Sequence, residues 1–187
     1  MKNQKKFNLS EYINQCSEEN NINNPIKISL DDILKIYDIF KEKNILFNTN
    51  EIQQIEELKN KKIIEDFYIN VFTNPENYTD TEKNSIINLF KQDTNIYRIY
   101  FLQVLNNYRS SGNFKVPEKT LDYIGELFNY LANITTSKND YECFRYISII
   151  SMTFYKLKNK EKYYLCEYLK DNLTLLKMEF WENIYLD

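Results

Sequence analysis

Histidine does not occur in this chain. With it go the side chain most used as a general base near neutral pH, the serine and cysteine triads that depend on an imidazole, and HExxH zinc sites. Glycine occurs only at Gly112 and Gly125, which is too few for a GxGxxG dinucleotide loop or a Walker phosphate loop, and neither sits in an EF-hand pattern. So few glycines, with only three prolines, also leave little turn chemistry for a strand-rich sandwich. The three cysteines, Cys16, Cys143 and Cys166, form no CxxC and no metal spacing. They read as free thiols in a reducing compartment. No apolar run approaches the roughly 18 residues of a membrane-crossing helix, and the polar stretch Met1–Ser10 lacks the apolar core of a signal peptide. The expectation is a cytoplasmic, non-enzymatic protein with no cofactor and no bound metal.

What remains is apolar mass and balanced charge. Hydrophobic residues make up 43% of the 187 and aromatic residues 16%, enough to build a core that offsets the entropy of folding. The 24 basic and 27 acidic side chains leave a net charge of −3. A nucleic-acid-binding domain normally shows a basic excess, so no nucleic-acid partner is expected.

Hydrophobic spacing predicts helices almost throughout. Residues 1–28 form an Asn-rich polar arm, weakly ordered or docked on the body, and 29–187 read as a single helical domain. Ser29 caps a helix of about 30–43 that carries Leu30, Ile33, Leu34, Tyr37 and Phe40. A helix with Ile52, Ile55 and Leu58 follows, then a separate amphipathic segment from Ile63 to Phe72 that Asn74-Pro75 stops. Thr79-Asp80-Thr81-Glu82 is a capping box. Thr94 or Asn95 opens a helix running to Tyr108, and Ser110–Asn113 is the clearest loop. Pro117 and Glu118 suit the first turn of a helix with Leu121, Ile124, Leu127, Phe128 and Leu131 inward. Residues 141–157 are apolar nearly all round, the pattern of a central helix, and 162–170 and 173–186 complete the count. The fold class is all-α: a multi-helix bundle or short α-solenoid of about eight helices with antiparallel neighbours.

Candidate functional residues are those that a helical core does not require. The densest basic stretch holds Lys156, Lys158, Lys160 and Lys162. It is either a solvated loop between helices or a patch for an acidic partner or anionic lipid. Arginine occurs only at Arg98, Arg109 and Arg145. Its planar fork suits fixed pairing, and Arg109 is placed to close its helix on the terminal carbonyls or to hold a ligand. Tyr163, Tyr164 and Tyr168, with Phe180 and Trp181, belong to the core or anchor an interface.

From about residue 63 onward, the order of features forms a pattern. An amphipathic helix ends in Val71-Phe72 and the capping box follows. Then come Phe101-Leu102-Gln103-Val104-Leu105-Asn106-Asn107-Tyr108-Arg109, Thr153-Phe154-Tyr155, Tyr164-Leu165 and finally Phe180-Trp181-Glu182. This resembles the helical domain of the SET-binding-factor proteins, myotubularin-related pseudophosphatases with a DENN region, and small relatives that carry the helical domain without the rest. The resemblance implies a non-enzymatic scaffold tied to Rab GTPases and endomembrane traffic. It brings no exchange activity, because the DENN region is not part of it, and no phosphatase chemistry, because the chain has no Cys-x5-Arg loop. A protein partner is therefore expected. The alternatives are a peripheral membrane module that binds anionic lipid and a small helical immunity-type inhibitor.

Overall fold

The computed structural model describes residues 30–42, 49–92, 95–112, 114–135 and 140–171. The expected arm 1–28, the caps Ser29 and Thr94, Cys16, Asn113 of the expected loop, the stretch 173–186 and with it Phe180 and Trp181 lie outside these residues. The chain divides into two units, one ending at Lys62 and the other beginning at Ile63.

The described part is mostly helical, with α1 Leu30–Glu42, α2 Thr49–Thr73, α3 Asp80–Phe90, α4 Ile96–Ser110, α5 Glu118–Ile134 and α6 Tyr141–Ser151. There are six helices among the described residues, where the periodicity predicts about eight. One reason is that the segments around Ile52–Leu58 and Ile63–Phe72 are a single helix. The polar residues between them contain neither glycine nor proline, and good helix formers continue the turn. Lys61 Nζ also pairs with Glu57 Oε1 one turn back at 2.6 Å. In the first unit, Lys62 reaches Asp31 at 3.3 Å and Lys59 sits over the Tyr37 ring, pairings of the exposed kind that stabilise little.

The second unit holds the core. Pro75 opens a 3₁₀ turn, Pro75–Asn77, two residues after α2 ends at Thr73. The capping box that begins α3 is formed as its sequence predicts: Glu82 N–H donates to Thr79 Oγ1, and Thr79 N–H donates to Glu82 Oε2 at 2.9 Å. Helix α5 is the hub, packed on α3, α6, the Pro75 turn and the segment after α6. Its stripe Leu121, Ile124, Leu127, Phe128 and Leu131 is fully buried. Buried Thr120 ties its first turn to α2 by donating to the Val71 carbonyl at 2.7 Å. Phe101 of α4 lies 5.1 Å from Phe90, 5.8 Å from Phe67 and 6.4 Å from Phe128. Burying such a ring contributes about 2 kcal/mol.

The second departure from the expected helices begins at residue 152. Helix α6 stops at Ser151 because hydroxyls occupy its last carbonyls: Ser151 Oγ donates to Ser148 O at 3.0 Å, and Thr153 Oγ1 to Ile150 O at 2.9 Å. Buried Phe154 then anchors the chain near Phe72 and Tyr108. An antiparallel hairpin follows, β1 Tyr155–Lys158 and β2 Glu161–Tyr164, and a 3₁₀ turn Leu165–Tyr168. The expected helices 141–157 and 162–170 are thus corrected to a shorter helix, a hairpin and a single turn. The physical cause is the period-2 alternation Tyr155-Lys156-Leu157-Lys158, closed by Asn159-Lys160. These two residues have φ of 53° and 70°, the positive values that a type I′ turn needs at both central positions. Lysine adopts this region reluctantly, so Lys160→Gly is expected to stabilise the protein by about 1 kcal/mol, read as a rise in Tm. A fall in Tm would show that this turn geometry is wrong.

Candidate functional site

The residues singled out in the sequence cluster on this hairpin, but its register sends them to opposite faces. Tyr155 pairs with Tyr164, Lys156 with Tyr163, Leu157 with Lys162 and Lys158 with Glu161. Alternate pairs face opposite sides of a strand pair. Lys156 and Tyr163 therefore point one way, and Tyr155, Leu157, Lys162 and Tyr164 the other.

The inner face is a clamp onto α5. Lys156 is only 7% exposed. Its Nζ donates to Glu118 Oε1 at 2.9 Å and to Asp122 Oδ1 at 2.8 Å, one turn apart on α5. The Tyr168 hydroxyl also donates to Asp122, and the rings of Tyr163 and Tyr168 meet edge to face at 5.7 Å, flanking the ammonium. Burial opposes the charge on Lys156, but the Asp122 and Glu118 carboxylates outweigh it and hold the ammonium above the usual lysine range. Burial, and then the bond to Asp122, push the Tyr168 phenol up to about 12. Both groups keep their protons near neutrality, so neither serves there as a base or an amine nucleophile. The expectation that Lys156 belongs to a surface patch is corrected: its neighbours are carboxylates of its own chain. Tyr163 likewise packs against the core.

The outer face is open. Leu157 is 48% exposed, and Tyr155 and Tyr164 stand side by side with ring centroids 5.7 Å apart. Lys162 Nζ lies 4.6 Å from the centroid of Tyr155. Lys160 and Lys162 are exposed, as is Lys158, which the register puts on the face of Lys156 and Tyr163, its Nζ 5.7 Å from the Tyr163 centroid. Exposed Lys115 is bridged in parallel register to Tyr155, where Tyr155 N–H donates to Phe114 O and Val116 N–H donates to Tyr155 O, each at 3.0 Å. Sequence reasoning found the lysines and Tyr164. It missed Tyr155, Leu157 and Lys115, which only the strand register and the Lys115 bridge bring beside them. The alternation from Tyr155 to Lys158 was the signal available.

The remaining candidates lie elsewhere. Arg109 does not close its helix on the terminal carbonyls: its Nε donates to Asn106 Oδ1 at 3.0 Å, while Ser110 Oγ and Ser111 Oγ donate to the carbonyls of Asn106 and Tyr108. Trp181 lies outside the described residues. Arg98 is the arginine held in a fixed pairing, 3.5 Å from Asp140 with both side chains almost buried, although its Nε makes no hydrogen bond. Beside them buried Cys143 is pushed up to about 12, by burial first and then by Asp140, with Arg98 opposing. That makes it an inert thiol near neutrality. An open depression of about 430 Å³ is lined by Glu142, Arg145, Tyr146 and Ile149, all on α6. Among the described residues there is no group of three acidic or cysteine side chains placed to hold a metal ion and no helix long and apolar enough to cross a membrane. Compared with protein-family models, curated proteins and solved structures, the chain matches none.

Proposed function

We propose that this chain is a non-catalytic protein-binding domain and that it docks partners through the outer face of the hairpin, with Tyr155, Leu157 and Tyr164 as the contact and Lys160 and Lys162 as the charged margin. The observation that carries the reading is the division of labour across the hairpin. Lys156 on the inner face is committed to the carboxylates of α5, while the outer face leaves two tyrosines and a leucine beside Lys162. Aromatic residues with an apolar body and a polar tip are the usual anchors of protein interfaces. The likeness to the helical domain of the SET-binding-factor proteins makes a small GTPase of membrane traffic the first partner class to test. The test is affinity capture from lysate with the full chain as bait, read by mass spectrometry. A double variant, Leu157→Ser with Tyr164→Ala, is expected to lose the specific partner, and Arg145→Glu on the α6 depression is expected to keep it. A partner retained by the hairpin variant and lost with Arg145→Glu would move the docking surface to α6 and sink this reading.

A further inference from the structure

We infer that the open edge of β2 receives an extended acidic segment of the partner, which adds to the hairpin as a further strand. The inference rests on the hairpin being the docking surface and specifies how it is used.

In an antiparallel pair, residues opposite one another alternate between those that exchange backbone hydrogen bonds and those whose N–H and C=O point outward. A two-residue turn places its flanking pair, Lys158 and Glu161, in the bonded class, which makes Lys156 and Tyr163 bonded as well. Leu157, Lys162, Tyr155 and Tyr164 then point their backbone groups outward. The phase is fixed independently by Tyr155, whose N–H and C=O turn away from β2 to meet Phe114 and Val116. It follows that Lys162 presents its N–H and C=O, and Tyr164 its N–H, to the side away from β1, while the Tyr164 carbonyl begins the 3₁₀ turn Leu165–Tyr168. Among the described residues no strand pairs there, since the sheet has only the order β1–β2. An edge of this kind is a template for an added strand.

Charge selects the occupant. Lys162 on β2 and Lys160 in the turn are exposed beside this edge, whereas Lys158 shares the face of Lys156 and Tyr163, and Lys115 lies beyond β1. Glu161 sits in register on the opposite face from Lys162 and Tyr164. A second copy paired with Lys162 opposite Lys162 would bring lysine against lysine, which disfavours that self-pairing. An acidic strand meets the reverse condition. A nucleic acid would face a chain with a net charge of −3 and only this local cluster of lysines. The register also gives a spacing rule. The added strand places an acidic residue beside Lys162 and, two positions away on the same face, a branched or aromatic residue beside the Tyr164 ring.

The test is fluorescence anisotropy with a short labelled peptide that repeats Glu-Thr-Val-Thr, using the full chain. Binding is expected at low salt and is expected to weaken severalfold near physiological salt. N-methylation of the peptide at alternate residues, made in both phases, is expected to cost at least about tenfold in one phase, because it removes the donors that face the edge. Lys162→Pro is expected to abolish binding while leaving the fold intact by circular dichroism, since a proline is tolerated where the N–H faces away from the sheet. Lys162→Gln is expected to cost only about two- to threefold, because it removes charge alone. Equal binding by both N-methylated peptides overturns strand addition and leaves side-chain docking on the same face. Binding of phosphatidylserine vesicles without binding of the peptide overturns it in favour of a membrane surface. No peptide binding, with partner capture still dependent on Tyr164, overturns the acidic strand alone. No peptide binding and no hairpin-dependent capture overturns both readings.

Discussion

Gly125→Ala is expected to destabilise the second unit by about 2 kcal/mol, in the range of overpacked cores, and to weaken the docking of the hairpin on α5. The usual expectation has the opposite sign, because alanine in a helix interior is favoured over glycine by about 1 kcal/mol. The difference lies in Tyr168. A Cβ at position 125 would stand 2.5 Å from Tyr168 Cγ and 2.6 Å from its Cδ1. These atoms form the base of the ring, so no rotation of a distant tip relieves the clash. The ring would have to leave α5, and its hydroxyl would leave Asp122, which also receives Lys156. Thermal or urea unfolding measures the effect. The double variant Gly125→Ala with Tyr168→Ala is expected to cost less than the sum of the two single changes, because the second removes the ring that the first strikes. Additive losses, or a stabilised Gly125→Ala, would show that the 3₁₀ turn does not rest on that glycine.

The second large effect is alkaline. Burial, with help from neighbouring charges, raises Tyr68, Tyr100 and Tyr168 from 10.0 to about 12 and Tyr78 further still. It also takes Cys143 from 9.0 to about 12. In each case the folded protein keeps a proton that the unfolded chain gives up at lower pH, so the native state binds more protons across this interval. Stability is then fully present below the unfolded values and falls as pH rises. Lys156, held above its usual range by Asp122 and Glu118, acts in the same direction. Several groups titrating together predict a steep, cooperative loss of helix between about pH 10 and 12, rather than a gradual decline. Tyrosinate absorbance and far-ultraviolet circular dichroism, followed in parallel, are expected to show a late phenol step coinciding with the loss of helix. The same titration in denaturant should show no late step. If all the phenols ionise while the helices remain intact, the rings are not buried as described.

The fold class was legible because one kind of information sufficed for it. Apolar spacing near 3.6, the Thr79–Glu82 box and the Asn74-Pro75 stop are local, and α3 and the end of α2 follow them. The hub helix α5 could be read in the same way from Leu121, Ile124, Phe128 and Leu131. Local reading failed where two patterns overlapped. Between Tyr141 and Leu169 the chain is rich in residues that suit either helix or strand, and the alternation of Tyr155–Lys158 was hidden by the helical apolar spacing that precedes it. The turn used Asn159-Lys160 instead of an Asn-Gly pair, so the strongest hairpin signal was missing.

By itself, the sequence determined that the chain is mainly helical, that imidazole chemistry and glycine-rich phosphate loops are excluded, and that lysines and tyrosines gather between residues 156 and 168. Only the tertiary structure decided where those residues lie and what they pair with. Lys156 and Lys158 are two positions apart and chemically identical, yet the first is buried against Asp122 and Glu118 and the second is exposed. Gly125, which in the sequence only counted against glycine-rich loops, is the seat of the Tyr168 ring. Burial and partnership depend on residues distant in sequence, here more than thirty positions away across α5, and no local pattern encodes which of two neighbouring lysines will find a carboxylate.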